Sequence, residues 1–568
     1  MAALRAVRVI TEVGAVDRPF DYNLSESSAH ARVGDRVRVD FNHRSVRAWV
    51  VAEVDARDDL KAVTKWLGYG PPASMLELLT WASERWYSPL SRFLISASPK
   101  RLVTSLPDVP IAPALEPHVR DGVDDLAPGV WHVSPTTDPL AMILSAYQQT
   151  HDRPGSLLVL VPSESWATRL RGRLEQRGLA VASGEQWDRM RAGWPVVVGA
   201  RGTTLAPVPR VAGAVLVDAD DEAFESEAAP TWDAFTLLRE RCRRESAPWW
   251  ATSMIPSPTL ILDAHVRALS DVPAGWPNVR VVDRRASDPR DGVLAREALD
   301  AAHRALGGDE AVAVAVVLQR LGTGRLFACR KCGELSRCAE CGMAEEEIGD
   351  QLACAQRHEL RANFCRACGA TNLRRVRVGV TTLARDVSAQ LSQPVTELTA
   401  ASDPGSSLSR VVVGTEAIWQ RVRHCGVVIF VDFDQYLLAP RESARRAALT
   451  AVGKAGRLVG SRSESHGEVV IQTRRSNDVV VQALQSGDVS AIMLEDVATA
   501  QLLALPPYGA LAEVSGPGAE SFVAQLRAPI SVHATSRGFD VRASAVDELT
   551  SALRAVSRPA EKVRVAVH

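Results

Sequence analysis

The sequence lacks the features that would place the protein in a membrane or among disordered chains. No stretch approaches 18 consecutive apolar residues, so we expect no membrane span. Residues Met1 to Gly14 have no continuous apolar core, so we expect no signal peptide and a cytoplasmic protein. With 46% hydrophobic and 23% charged residues, the composition excludes wholesale disorder.

Lysine is scarce, and neither sign of charge dominates. Only six of the 66 basic residues are lysines, and 67 acidic residues bring the net charge to −1. This balance excludes a uniformly basic coat for nucleic acid, although it allows a local basic face. A chain of 568 residues is typical of three or four domains.

Cysteine is also scarce, but seven of the nine cysteines fall between Cys329 and Cys368. A secreted disulfide protein would not crowd its thiols into so short a segment. Three Cys-x2-Cys pairs are present, and His358 after Cys354 offers a fourth pair. Two such pairs close a tetrahedral zinc site, so the segment predicts two structural zinc ions; free or redox-active cysteines are the other interpretation.

We expect two groups of four ligands in a nested arrangement, with sequential pairing as the alternative. One site would hold Cys329, Cys332, Cys365 and Cys368, and the other would hold Cys338, Cys341, Cys354 and His358.

The pattern of apolar residues divides the chain into units that differ in predicted secondary structure, and the overall fold class is α/β. Residues 1–105 read as a β-rich domain with an appended helix, and the proline-rich residues 106–130 read as a linker. Strands alternate with helices over 131–265 and again over 270–480, which is typical of parallel sheets. Among these elements we expect strands at Leu157–Val161, Val196–Gly199 and Val211–Asp218 and a helix at Arg441–Val452. The cysteine-rich segment 326–375 interrupts the second of these units, and residues 481–568 form an α+β C-terminal domain.

The sequence contains no phosphate-binding loop. Such a loop needs Gly-x4-Gly-Lys-Ser/Thr, and no such string occurs. The acidic run that begins at Asp218 follows an apolar strand, where a carboxylate that binds Mg²⁺ would lie. An acidic surface loop is the alternative interpretation.

These features together resemble the PriA family of replication restart helicases over nearly the whole chain. Phe20-Asp21-Tyr22 and Val33–Val37 resemble signatures of the family's 3′-DNA-end-binding domain, and Lys61 lies in a segment similar to one of its strands. The resemblance implies a pocket in which Asp21 accepts a hydrogen bond from a base edge. Phe20 and Tyr22 would supply packing or stacking surface, and Lys61 would contact phosphate. A core role for the triplet and a solvated Lys61 are the structural alternatives.

The resemblance also implies two RecA-like helicase lobes with a two-zinc insertion, although the motor motifs depart from the family. Ser134–Leu144 has no Gly or Lys where the P-loop should be, and Ala219 replaces the glutamate that orients the attacking water. Asp218 and Arg457 remain from a degenerate nucleotide site. The family's winged-helix domain is missing. We therefore expect two zinc ions as cofactors, leave ATP as an open question and assign no catalytic residue.

The function implied by the resemblance is the recognition of abandoned or stalled replication forks, primosome assembly and loading of the replicative helicase, without helicase activity. Expected partners are fork DNA with a 3′ end and, by the resemblance, primosome components, the replicative helicase or its loader, and single-strand-binding protein. An active ATP-dependent 3′-to-5′ helicase and a zinc-stabilised scaffold that binds only protein are the alternatives. DNA-stimulated ATP turnover would favour the helicase, and a lack of salt-dependent DNA binding would favour the scaffold.

Overall fold

The computed structural model describes most of the chain, and the statements below concern the residues it describes. It describes residues 5–13, 18–116, 126–226, 228–263, 266–269, 271–287, 291–319, 327–340, 345–348, 351–354, 358–375, 379–403, 405–439, 443–535 and 538–568.

The first unit is an antiparallel sheet with two helices against one face. The strand order is β2-β1-β4-β3-β5. A tight turn joins β3 to β4, and both of its residues, Asn42 and His43, have positive φ, as hairpin turns require. The elements are β1 (Arg5–Thr11), β2 (Phe20–Asn23), β3 (Arg36–Phe41), β4 (Arg44–Asp55), β5 (Lys65–Gly68), α1 (Ala73–Arg85) and α2 (Leu90–Ala97).

The second unit is a seven-stranded parallel sheet in the order β12-β6-β11-β10-β7-β9-β8. Strands such as β7 are apolar and buried throughout, because helices cover both faces of a parallel sheet. The elements are β6 (Gly129–His132), α3 (Leu140–Thr150), β7 (Ser156–Leu160), α4 (Glu164–Glu175), β8 (Val181–Ser183), α5 (Trp187–Ala192), β9 (Val196–Gly199), β10 (Val211–Leu216), α6 (Ala234–Glu245), β11 (Trp249–Ser253), α7 (Pro258–Asp263) and β12 (Arg267–Ala268).

The third unit is a six-stranded parallel sheet in the order β13-β23-β22-β14-β21-β20. Its elements are β13 (Asn278–Asp283), α8 (Arg296–Leu306), β14 (Val314–Val317), α9 (Val380–Leu391), β20 (Val395–Leu398), β21 (Val411–Gly414), α10 (Ala417–Arg421), β22 (Val427–Phe430), α11 (Asp434–Leu437), α12 (Ala444–Val459), β23 (Glu468–Thr473), α13 (Val479–Ser486) and α14 (Ser490–Leu502). Val480, Leu484 and Ile492 belong to its hydrophobic core. The boundary expected at residue 480 therefore falls inside this core.

The cysteine-rich segment between β14 and α9 forms two small antiparallel sheets, β15-β19 and β16-β17-β18. Their strands are β15 (Phe327–Cys329), β16 (Glu345–Ile348), β17 (Gln351–Cys354), β18 (Leu360–Ala362) and β19 (Leu373–Arg375).

The C-terminal unit is a four-stranded antiparallel sheet in the order β25-β26-β24-β27. It packs against the first unit, where Arg554 of α16 donates to the Ser83 carbonyl at 3.0 Å. Its elements are β24 (Ala510–Ser515), α15 (Ala519–Val523), β25 (Ser531–Thr535), β26 (Gly538–Ala543), α16 (Val546–Ala555) and β27 (Arg564–Val567). Among the described residues, no helix combines the length and apolarity needed to cross a bilayer.

Candidate functional site

Four cysteines of the insertion converge at one point, as the nested arrangement predicts. Cys329, Cys332, Cys365 and Cys368 place their sulfur atoms within 4.8 Å of one another. The Cys329–Cys368 and Cys332–Cys365 Sγ distances are both 3.6 Å, too long for a disulfide. Tetrahedral zinc with bonds of about 2.3 Å separates its sulfur ligands by about 3.8 Å. This donor set therefore fits zinc.

Two similar turns build this cluster. Gly333 follows Cys332 and has a φ of 75°, and Gly369 follows Cys368 and has a φ of 71°. The Gly333 amide donates to the Cys329 carbonyl at 3.0 Å, and the Gly369 amide to the Cys365 carbonyl at 2.8 Å. The left-handed glycine closes each turn, so that both thiols of a pair lie on one side.

A second cluster lies beside the three-stranded sheet. Nδ1 of His358 lies 3.8 Å from Sγ of Cys338 and 3.8 Å from Sγ of Cys354. The expected fourth ligand, Cys341, lies outside the described residues. The three described groups can hold a metal ion, and their sulfur and imidazole donors fit zinc.

A buried ion pair braces this second cluster, and the sequence interpretation missed it. Glu345, on β16, is fully buried and accepts hydrogen bonds from Arg361 on β18, one of them Nε to Oε1 at 2.8 Å. The Ser336 hydroxyl donates to the same carboxylate at 2.7 Å. Glu345 is the register partner of Cys354 on β17. The ion pair therefore holds in place the strand that carries one of the candidate metal ligands.

Ion pairs between the second and third units join the two residues that were expected in a degenerate nucleotide site. Asp218, at the end of β10, and Arg457, on α12, form a two-pronged contact with distances of 2.6 and 2.8 Å. Arg457 also donates to the Pro135 carbonyl at 2.9 Å, and its guanidinium lies 4.8 Å from the centre of the Trp166 ring. Arg457 is therefore held by Asp218, Pro135 and Trp166.

A second ion pair joins α12 to the same acidic run. Lys454 lies one turn before Arg457 on α12, and its Nζ is 2.7 Å from the carboxylate of Asp221. Asp221 is 3% exposed on its side chain and also accepts from the Ala223 amide at 3.0 Å. Lys454 and Arg457 of α12 thus both contact the acidic run after β10.

The loop at the expected P-loop position is a short turn. The Ser134 and Thr137 hydroxyls are 2.9 Å apart, and the Thr136 hydroxyl donates to the Gly275 carbonyl at 3.0 Å. Helix α12 approaches closely because Gly453 and Gly456 have no side chains. A Cβ at Gly453 would lie 2.8 Å from the Met254 sulfur. The second and third units are therefore in direct contact beside this turn.

An open cavity of about 540 Å³ remains next to these ion pairs. Its lining includes Thr136, Trp166, His424, Arg457 and Glu464. The only arginine of the lining is the one held by Asp218. The cavity therefore offers no unengaged arginine to a phosphate among the described residues.

In the first unit, the carboxylate of Asp21 is already paired. Arg8 and Asp21 are register partners on β1 and β2, and Nε and Nη2 of Arg8 donate to the two carboxylate oxygens at 2.8 and 3.1 Å. Hydrogen bonding from Arg8 lowers the pKa of Asp21, so the group is ionised at neutral pH. Its side chain remains 24% exposed. The sequence interpretation missed Arg8, because a pairing across strands has no local pattern.

The neighbours of Asp21 have different environments. Tyr22 is 5% exposed, its hydroxyl donates to the Asp40 carbonyl at 2.9 Å, and it packs in the core. Phe20 packs edge-on against Phe41 with ring centres 4.9 Å apart. Lys61 is exposed and lies 3.1 Å from the Asp40 carboxylate. The segment that carries Lys61 pairs with Asn23, which places it beside β2.

Comparison with known proteins adds a domain match and full-length relatives. The 3′DNA-binding domain of PriA matches residues 8–99. Replication restart protein PriA of Synechocystis sp. is 24% identical over 410 residues, which cover 63% of this chain and 48% of the relative. Replication restart protein PriA of Treponema pallidum is 25% identical over 348 residues, which cover 55% and 50%. The chain spans about half the length of the curated relatives it matches.

Two solved structures that resemble the chain cover about two thirds of it. One is S. cerevisiae Dbp5 bound to RNA and ADP BeF3, at 11% identity and a TM-score of 0.37, covering 66% of this chain and 90% of that one. The other is a DEAD box protein from Methanococcus jannaschii, at 10% identity and a TM-score of 0.29, covering 64% and 87%. The domain match over residues 8–99 and the two relatives show that the chain is similar to PriA replication restart proteins over part of its length.

Proposed function

We propose that the protein recognises abandoned or stalled replication forks through a 3′ DNA end and promotes primosome assembly there without hydrolysing ATP. The observation that carries the proposal is the match of residues 8–99 to a 3′DNA-binding domain. The primosome components, the replicative helicase or its loader, and single-strand-binding protein are the proposed partners.

The proposed end site uses the ionised carboxylate of Asp21. Arg8 occupies one lone pair of each carboxylate oxygen, and a carboxylate can accept about four hydrogen bonds. The outer lone pairs can accept from a base amino group or from a terminal 3′ hydroxyl. Tyr22 supports the strand from the core, and Lys61 lies on the adjacent segment as a phosphate contact.

Loss of motor function is the second part of the proposal. Phosphoryl transfer depends on groups that hold phosphate and metal in position. Here the P-loop residues are absent from the sequence, and Arg457 is held by Asp218 and Pro135. In this proposal the lobes act as a rigid frame between the DNA-binding unit and the insertion, in which two zinc ions per chain fix the fold.

The first experiment compares forks with a free and a blocked 3′ end. We expect Asp21→Ala to lower affinity for the free-end fork by about 5- to 150-fold, since one lost base contact costs about 1–3 kcal/mol. Affinity for the blocked fork should change little. Asp58→Ala is the control, since it removes an exposed acidic group from the same unit. Equal affinity of the wild-type protein for both forks would refute the end site.

The second experiment measures ATP turnover with fork DNA on zinc-loaded protein. We expect no DNA-stimulated hydrolysis. Turnover of about 1 s⁻¹ or more lies in the usual enzymatic range, and its abolition by Asp218→Ala would establish the helicase alternative instead.

A further inference from the structure

Three basic side chains lie in a row across one face of the first sheet. Arg38 on β3 is the register partner of Arg47 on β4 and of Lys65 on β5. Partners directly opposite each other project from the same face, so the three side chains are neighbours. All three residues are exposed. We call Arg47, Arg38 and Lys65 the basic row.

The acidic residues around the row neutralise only one of its members. Glu12 binds Arg47, with a distance of 3.0 Å from Nη2 to Oε1. Asp40, two residues along β3, is engaged by Lys61. Within the part of the chain that the structure describes, Arg38 and Lys65 have no acidic partner. Like charges directly opposite each other destabilise a sheet, so the row has an electrostatic cost that an anionic ligand would relieve.

The row lies where its face of the sheet is open. Further along the same strands, Arg36 donates to the Pro99 carbonyl at 3.2 Å, and the Trp49 indole donates to the Ser98 hydroxyl at 2.7 Å. The end of α2 thus covers that part of the face. Around Arg38 and Lys65 the described residues leave the face exposed, so a rod-shaped ligand can approach from solvent.

The spacing of the row matches a nucleic-acid backbone. Neighbouring strands lie about 4.8 Å apart, so three adjacent strands span about 10 Å. One DNA strand advances about 3.4 Å per phosphate along the helix axis, so the row can contact about three phosphates. β4 and β5 lie two and four strands from β2, which carries Asp21. This lateral separation of about 10 to 19 Å equals several nucleotides.

We propose that the basic row binds the phosphate backbone of the DNA whose 3′ end enters the Asp21 site. The inference rests on the proposed DNA-binding function and adds a sequence-independent contact to it. Phosphate contacts fix position and register, whereas the Asp21 site reads the end itself. The two sites can therefore be measured separately. The basic row should determine the salt dependence of binding, and the Asp21 site should determine the preference for a free 3′ end.

The test is a salt titration of fork affinity for the double variant Arg38→Ala/Lys65→Ala in the full chain. Each lost phosphate contact with duplex DNA lowers the slope of log K against log salt by about 0.9, so we expect a drop of about 1 to 2. The ratio of affinities for free-end and blocked forks should stay as in the wild type. The matched control is Arg296→Ala/Lys562→Ala, which removes two exposed cations elsewhere.

Two further variants keep the test independent of folding. Arg38→Lys/Lys65→Arg keeps both charges and should keep the wild-type slope. Arg38→Gln/Lys65→Gln should lower the slope as the alanine pair does. Thermal unfolding should show no loss of stability in any of them, because the substitutions remove repulsion or preserve it.

The outcomes separate the two proposals. A wild-type slope in the alanine pair would overturn the basic row while leaving the end site standing, and it would point to a ligand other than DNA, such as an acidic protein segment. A lowered slope with no wild-type preference for free ends would support the row and refute the end site. Absence of salt-dependent DNA binding in the wild type would refute both.

Discussion

The ion pair between Asp218 and Arg457 should stabilise the contact between the two lobes. Substitution of Arg457 should destabilise this contact more than substitution of Asp218. Asp218 is 3% exposed on its side chain, whereas Arg457 is 23% exposed. Arg457→Met keeps an apolar stem beside Trp166 but leaves a buried carboxylate without its cation. Leaving one charge buried and unpaired costs about 3–5 kcal/mol.

The reverse substitution should cost less. In Asp218→Asn, Arg457 keeps its hydrogen bond to the Pro135 carbonyl, its contact with the Trp166 ring and its partial exposure to water. The loss is then close to that of one charge-assisted hydrogen bond, about 1.5–3 kcal/mol. The double variant should be less destabilised than the sum of the two single variants by about 0.5–3 kcal/mol.

Hydrogen exchange is the suitable assay, because a chain of several units does not unfold in one step. The opening free energy should fall in peptides that cover Asp218–Asp221 and α12. Peptides from the C-terminal unit should be unchanged and serve as the internal control. Equal costs for the two single variants, or costs below about 1 kcal/mol, would mean that the pair acts like a surface ion pair and would refute the reasoning.

Two other predictions follow from the clusters and from a buried acid. Metal analysis should find about two zinc ions per chain, and Cys365→Ser should lose one of them, whereas Cys425→Ser, a buried cysteine outside the clusters, should lose none. Burial and the neighbouring Asp434 raise the pKa of Asp432 to about 7. A raised acid pKa makes the folded state bind more protons, so Asp432 lowers stability as pH rises from about 4 through 7. In hydrogen exchange, Asp432→Asn should therefore raise the opening free energy of peptides that cover position 432 by more at pH 8 than at pH 5, relative to wild type, and equal increments would contradict this.

Elements with strong local signals could be predicted from the sequence. The strands expected at Leu157–Val161 and Val196–Gly199 are found at Ser156–Leu160 and Val196–Gly199, because strands buried on both faces are continuous apolar runs. The turn of each Cys-x2-Cys pair could also be predicted, whereas the choice between nested and sequential pairing depends on contacts more than 30 residues apart. In both cases the information lies within a few neighbouring residues.

Element ends depended on contacts that no local pattern shows. The strand expected to run from Val211 to Asp218 ends at Leu216, because Asp218 takes a positive φ of 56° and the Ala219 amide bonds to the Thr252 carbonyl. The helix expected over 441–452 occupies Ala444–Val459. Gly453 and Gly456, which weaken an isolated helix, are tolerated here because they allow close packing against Met254 and Pro277.

The partners of the charged site residues were the least predictable part. Arg457 and Asp218 are 239 positions apart, and Arg8 and Asp21 meet only because β1 and β2 pair in one register. Sequence motifs pointed to Asp218, Arg457 and Asp21 as candidate site residues. They predicted which ligand each residue would contact, but not which residue of the chain it would pair with. Folding instead pairs Asp218 with Arg457, since a buried carboxylate without a partner is costly, and pairs Asp21 with Arg8 across two strands.

These pairings bear on how the lobes can work together. In a nucleotide-driven motor, an arginine of one lobe reaches the phosphates bound by the other, so the contact between lobes depends on the nucleotide. Here Arg457 and Lys454 reach the acidic run after β10 directly, and Gly453 brings α12 into contact with Met254. The contact between lobes thus uses only groups of the chain itself. A ligand can shift the equilibrium between joined and separated lobes only if it binds one of these states more tightly than the other. Because the chain has no phosphate-binding loop, a nucleotide would bind the two states with nearly the same affinity. On the proposed function, nucleotide therefore does not control the separation between the basic row and the zinc clusters.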